Sequence, residues 1–223
     1  MINIFTEVIK RRSKFSKSIL TWSKKNLRKY PWREDEQSYN ILIAEFLLRR
    51  TTSSAVKRIY PSFLIKYPSL YAISGAESKE IETDLINIGY YKVRAKMLKK
   101  TALYIINKYN GVIPCEKKEL LSIPNIGPYT AGAILSLGCG KRAPMVDSNV
   151  ERLIKRVFKK SLNKKTTKNQ FFNIAARLIP DGNYGVFNLA LIDIASLYCT
   201  YRKTYCAQCP ILNLCDTGIN FRD

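Results

Sequence analysis

The sequence predicts an all-α fold on three observations. Apolar residues recur at three- and four-residue steps through much of the chain, no run alternates in the manner of a strand, and proline or glycine stands between the periodic segments. The first break is Tyr30-Pro31, after which "YNILIAEFLLRR" (39–50) reads as a helix. A second helix follows in "AVKRIYPSFLIKY" (55–67), closed by Tyr67-Pro68. Beyond Gly89, "KVRAKMLKKTALYIINKY" (92–109) is the longest periodic run, and it ends at the Gly111 to Pro114 break. In "ELLSIPNIGPYTAGAILSL" one helix ends near Ser122, a tight turn follows, and Pro128 begins the next at a position that needs no N–H. After Gly138 to Pro144, "NVERLIKRVF" (149–158) is again helical. The basic stretch "KKSLNKKTTKNQ" (159–170) reads as a solvated loop, and Pro180 to Gly185 is the last break.

The chain has 223 residues, enough to bury a substantial core, and its 38 lysines and arginines against 17 acids leave +21 at pH 7. A lysine-rich solvated surface accounts for part of that excess, but the sign and size favour a polyanionic partner, and nucleic acid above others. No run reaches the roughly 18 apolar residues of a membrane span. The N-terminal "MINIFTEVIKRRSKF" mixes charge into its apolar positions, unlike a signal peptide. The expectation is a protein without membrane attachment, retained where it is made. The absence of histidine removes imidazole bases, Ser-His-Asp triads and histidine-bearing zinc sites, leaving chemistry to Asp, Glu, Lys, Tyr, Ser, Thr or Cys.

Four of six cysteines fall in "CTYRKTYCAQCPILNLC", at Cys199, Cys206, Cys209 and Cys215. Disulfides, an all-cysteine zinc site and a [4Fe-4S] cluster compete for them. Without a secretory signal disulfides are disfavoured; zinc sites commonly pair two C-x2-C knuckles where this stretch has one, so the spacing favours iron–sulfur. Cys115 and Cys139 stand apart and read as small buried or half-buried residues without a role.

Two acids break apolar or basic surroundings. Glu45 in "ILIAEFLLRRTT" should border the buried side of its helix, where desolvation favours the protonated carboxyl. Asp147 in "APMVDSNVERL" precedes a helix start and is equally readable as an N-cap. The hairpin "IPNIGPYTA" offers turn amides to a phosphate, although a plain helix-turn-helix core explains its apolar residues as well.

The hairpin, "MVDSNVERLIKRVF" and "GVFNLALIDIASLYCTYRKTYCAQCPILNLC" occur in one order that resembles the helix-hairpin-helix DNA glycosylases of the endonuclease III superfamily, from about Tyr30 to Cys215. The resemblance implies a [4Fe-4S] cluster at the four cysteines. It also implies two lobes: a helical barrel over 39–146 carrying the hairpin, and a cluster domain from 1–38 plus 147–223. Within the superfamily, "LLRRTT" and the tyrosine at 129 look like the thymine and uracil mismatch glycosylases of the MIG type. Adenine glycosylases of the MutY type usually show paired glutamines at the two arginines and a serine at the hairpin exit, and bifunctional enzymes a lysine there.

The resemblance makes Glu45, Asp147 and Tyr129 catalytic and Arg50 the wedge that fills the gap left by an extruded base. Arg49, Asn125, Gly127, Tyr90, Tyr91, Arg202 and Lys203 become DNA-binding. A phenol cannot form the Schiff base that leads to strand cleavage, so Tyr129 implies base removal alone. The implied substrate is thymine or uracil opposite guanine in double-stranded DNA, handled by a monomer in the prokaryotic cytoplasm at the nucleoid. With eight residues after Cys215, the expectation is that the extra domain usual in adenine glycosylases is missing. The double tyrosine of "GYYKVRA" is more like those enzymes, so adenine opposite guanine or oxoguanine is the alternative, and a non-catalytic lesion-binding module the alternative of another class. Asn125 and Pro128 depart from the usual hairpin, which has glycine and a polar or basic residue there.

Overall fold

The structure is a computed structural model that describes residues 4–163 and 165–219; the extreme termini and Lys164 of the basic loop lie outside them. The described residues form α1 (Ile4–Asn26), α2 (Ser38–Leu47), α3 (Ser53–Lys66), α4 (Leu70–Gly75), α5 (Ser78–Asp84) and α6 (Tyr91–Tyr109). There follow α7 (Lys117–Ser122), α8 (Pro128–Ala133), α9 (Ser148–Val157), α10 (Lys168–Leu178), α11 (Tyr184–Leu197) and α12 (Asp216–Ile219). No strand occurs among the described residues beyond one isolated bridge between Cys199 and Thr204, so the all-α expectation holds. The chain forms two compact units, Met1–Arg28 with Gly140–Asp223, and Lys29–Cys139.

In the first unit, α1 buries Val8, Phe15, Ile19 and Trp22 along one stripe while its lysines face out. The charge mixed into the N-terminal sequence is therefore the polar face of an amphipathic helix. Phe15 meets Phe158 and Phe187, each with ring centroids 6.5 Å apart, and α11 is apolar nearly all round. Asp193 on α11 is fully buried, its carboxylate held by Arg28 at 2.5 Å and by the Arg28 backbone N–H at 3.0 Å. Arg11 ties α1 to the C-terminal segment, pairing with Asp216 at 2.7 Å and donating to the carbonyls of Val157 and Leu214. The basic stretch departs from its loop reading: Thr167 and Gln170 form a reciprocal capping box, so residues 168–170 begin α10.

In the second unit, α6 packs against α2, α4 and α5 through Ala95, Leu98, Ala102 and Ile105. Removing each such side chain from water is worth roughly 1.5–3 kcal/mol for the larger ones. α2 buries Ile41, Leu42, Ile43, Phe46 and Leu47 and stops at Leu47, three residues short of the expected 50. Thr52 then caps α3, accepting from the Ala55 N–H at 3.2 Å. α8 continues into a π turn over Ile134–Gly138, closed by the Cys139 N–H on the Ile134 carbonyl at 3.0 Å. Gly138 lets this turn lie against α2: a Cβ there would stand 2.6 Å from Ser38 Oγ. The reading of Cys115 and Cys139 as residues without a role is corrected, because they form a disulfide that encloses α7, the hairpin and α8.

Candidate functional site

The hairpin and the loop after α2 meet within the second unit. Asn125 holds φ +66°, the left-handed conformation that the departure from glycine requires and that asparagine tolerates. Its Nδ2 donates to Thr101 Oγ1 at 3.2 Å, and Thr101 donates to the Pro124 carbonyl at 2.8 Å, so the turn is fastened to α6. Gly127 is the N-cap of α8 with no side-chain cap on it, and Tyr129, the second residue of α8, is half-buried. Arg49 reaches across to this hairpin, donating to the Asn125 carbonyl at 2.5 Å and more weakly to Thr130 Oγ1 at 3.4 Å. Its guanidinium also lies 4.3 Å from the Phe46 ring centroid. Burial lowers the Arg49 pKa, and the nearby charge of half-buried Glu45, one turn back on α2, works against that fall.

Arg50 and Tyr90 form a pair. Arg50 Nη1 donates to the Tyr90 hydroxyl at 2.6 Å and its guanidinium lies 5.1 Å from the ring centroid. Both have φ of +51°, and with Arg49, Val93, Arg94 and Met97 they line a recess of about 510 Å³. Tyr91 opens α6 and is half-buried. The structure thus brings Arg49, Arg50, Tyr90 and Asn125 into one region, with Glu45 electrostatically coupled to Arg49.

Arg94 was missed. It is 2 % exposed, and burial followed by the repulsion of Arg49 lowers its pKa. The signal was present: positions 94, 98, 101 and 105 share one helical stripe, which places a charge on the buried face of α6.

Asp147 belongs to the first unit. It is the N-cap of α9, with Oδ1 accepting from the Val150 N–H at 2.7 Å. Its other oxygen accepts from Asn149 Nδ2 at 2.8 Å; Asn149 in turn accepts from Arg152 at 2.9 Å, and Arg152 Nε donates to the Cys199 carbonyl at 2.6 Å. One turn further on, Arg156 donates to Cys199 Sγ at 3.2 Å and to the Thr200 carbonyl at 2.8 Å. The 149, 152, 156 spacing puts all three on one face of α9, so the capped carboxylate is joined by hydrogen bonds to the cysteine segment.

Cys199, Cys206, Cys209 and Cys215 are free thiols lining one small cavity with Leu153, Ile211 and Leu212. Burial pushes the Cys209 thiol up to about 11 and raises Cys215 as well. Gly218 donates its N–H to Cys215 Sγ at 3.4 Å, and a Cβ there would lie 2.9 Å from Leu212. Four soft donors, an apolar wall and N–H groups directed at sulfur suit an iron–sulfur cluster. Among the described residues, however, no three such side chains are drawn together as closely as around a metal ion. Arg202 and Lys203 are exposed between the first two cysteines.

Residues 43–180 match the HhH-GPD superfamily of base excision DNA repair proteins, and the chain belongs to that superfamily. It is 39% identical over 207 residues to a thymine/uracil-DNA glycosylase of Methanothermobacter thermautotrophicus, covering 92% of this chain and 94% of that one. A solved thermostable thymine-DNA glycosylase superposes with a TM-score of 0.88 at 38% identity, over 95% of this chain and 98% of that one. An adenine DNA glycosylase of Buchnera aphidicola is 32% identical over 90% of this chain, which spans 58% of that relative.

Proposed function

We propose that this protein is a monofunctional DNA glycosylase that removes thymine or uracil mispaired with guanine and leaves an abasic site. The observation that carries the reading is the Arg50–Tyr90 pair beside a hairpin held by Arg49, in a chain 39% identical to a thymine/uracil-DNA glycosylase over nearly its whole length. The hairpin and exposed Arg202 and Lys203 grip the phosphates, which positions the duplex without reading its sequence. Arg50 and Tyr90 enter the stack as the target nucleotide leaves it, at an unstacking cost of a few kcal/mol that is least at a mismatch.

Rupture of the C1′–N bond leaves positive charge on the sugar and negative charge on the base. Asp147 faces the sugar and takes a proton from the water whose oxygen adds to C1′; Glu45 supplies the proton or hydrogen bond that the departing base takes up. Tyr129 helps hold the flipped base or sugar and, lacking an amine, forms no Schiff base with the sugar. Cys199, Cys206, Cys209 and Cys215 would hold a [4Fe-4S] cluster whose contribution is to brace the C-terminal segment, since hydrolysis requires no electron transfer.

The test uses duplexes carrying G/T, G/U, A/G or A/oxoguanine, each split after incubation and treated with or without alkali. Breaks at thymine or uracil only after alkali are expected. Breaks at adenine would favour the alternative that the Buchnera relative represents, and breaks without alkali would contradict the role of Tyr129. Asp147→Asn keeps a residue that caps helices well, so its single-turnover excision should fall by on the order of 10²–10⁴-fold while folding is retained. Glu45→Gln should fall in the same range, and wild-type rates in both would remove these assignments.

A further inference from the structure

We propose that Arg94 is a positioning residue which locks Arg50 and Tyr90 into one rigid wedge, and that it does so by fixing the peptide plane that leads into each of them. The inference rests on the glycosylase reading and concerns how its wedge is held.

A buried arginine on α6 is costly, and an apolar residue would fill the position more cheaply. Arg94 makes no ion pair among the described residues, and its Nε has no partner there. Its bonds all go to main-chain carbonyls. Nη1 donates to Phe46 and, at 3.0 Å, to Leu47, the last residues of α2, whose carbonyls have no partner within the helix. The guanidinium thereby also complements the negative end of that helix. Nη2 donates to the Arg49 carbonyl at 2.9 Å and to the Gly89 carbonyl at 3.3 Å, with Ile88 at the edge of reach at 3.5 Å.

Those two nearer carbonyls have a particular place in the chain. The Arg49 carbonyl belongs to the peptide unit joining Arg49 to Arg50, and the Gly89 carbonyl to the unit joining Gly89 to Tyr90. Arg50 and Tyr90 are the residues with φ of +51°, a conformation that is unfavourable for any residue with a Cβ. One nitrogen of one side chain thus orients both units that precede a left-handed residue, and the side chains so aimed meet at 2.6 Å. A planar guanidinium with fixed donor directions can hold the two units together; an ammonium on a flexible stem holds one or the other.

The test uses Arg94→Lys, which keeps the charge and most of the stem, and Arg94→Met, which keeps the bulk. Melting and circular dichroism check that each folds, and should the methionine variant fail, the lysine variant carries the comparison. The probe is a G/U duplex with 2-aminopurine beside the uracil, whose fluorescence rises when the neighbouring stack is opened. Wild type should raise the signal, and Arg94→Lys should lose most of that rise while its binding to the duplex stays within a few-fold. Single-turnover excision from G/U should fall by on the order of a hundredfold, the scale of a misplacement of about 1 Å. Excision of uracil opposite an abasic site, which has no partner to displace, should fall much less. In an Arg50→Ala background the Arg94→Lys change should add little, since the two act as a unit.

A fluorescence rise equal to wild type in both variants would overturn the proposal. So would equal losses on both substrates, or full additivity with Arg50→Ala, which indicate general destabilisation. If wild type released no base from any duplex, the glycosylase reading would fail, and the fluorescence comparison would still decide the role of Arg94.

Discussion

At the scale of single residues, backbone strain marks the same places that the sequence marked chemically. Arg50, Tyr90 and Asn125 are three of the four non-glycine residues with positive φ among those described. Such conformations persist only where surrounding bonds over-determine them. For Asn125 those bonds are the contact to Thr101 and the Arg49 donation to its carbonyl. Asn125→Gly relieves the left-handed strain but loses the amide bond to Thr101, so the two changes offset and its stability should stay closer to wild type than that of an alanine variant. Asn125→Ala should lower stability by about 1 kcal/mol in chemical unfolding, because alanine resists the left-handed conformation and lacks the amide. An alanine variant as stable as the glycine one would show that the turn is not strained. The left-handed turn at Asn125, the half-buried position of Glu45 and the N-cap position of Asp147 were legible because those residue types are unusual in their surroundings. Arg94 was not, because in a chain with 38 basic residues one more base in "KVRAKMLKK" reads as solvated surface. Its register with Leu98, Thr101 and Ile105, not its charge, gives it away.

At the scale of elements, periodicity located α2, α3, α6 and α9 to within a few residues, since each has one buried face. The ends were less legible where tertiary contacts set them: α2 stops at Leu47 where Arg94 collects its carbonyls, an event that no local pattern records. The same holds for the Cys115–Cys139 bridge. Its partners are 24 residues apart with no motif around them, and only the folding back of α7 and α8 makes them neighbours. The bridge encloses the whole hairpin, so it restrains the unfolded chain by about 3 kcal/mol for a loop of this length. Cys115→Ser should lose about that much in guanidinium unfolding of the oxidised protein. Wild type in reductant should match the variant, and the variant should be indifferent to reductant. Equal stability of oxidised wild type and variant would mean that the bridge contributes nothing to holding the hairpin.

For the whole molecule, the disposition of charge carries more than its sum. The chain is +21, and several of its 17 acids sit in ion pairs with its own bases: Glu7 and Asp216 with Arg11, Asp193 with Arg28, Glu80 and Asp84 with Lys66, Glu151 with Lys155. Pairing cancels charge locally but leaves the excess of 21 bases over acids unchanged and available to phosphate. Binding to a mismatched duplex should then follow counterion release, weakening by on the order of a thousandfold between about 50 and about 200 mM salt if six or more phosphates are neutralised. No histidine contributes to that charge. The slope of log affinity against log salt should consequently be the same at about pH 6.5 as at about pH 8, where histidine would otherwise titrate. Fluorescence anisotropy with a labelled G/U duplex measures both quantities. A slope near zero would remove electrostatics as the source of affinity, and a slope that steepens as pH falls would require a group other than the lysines and arginines to join the phosphate contacts.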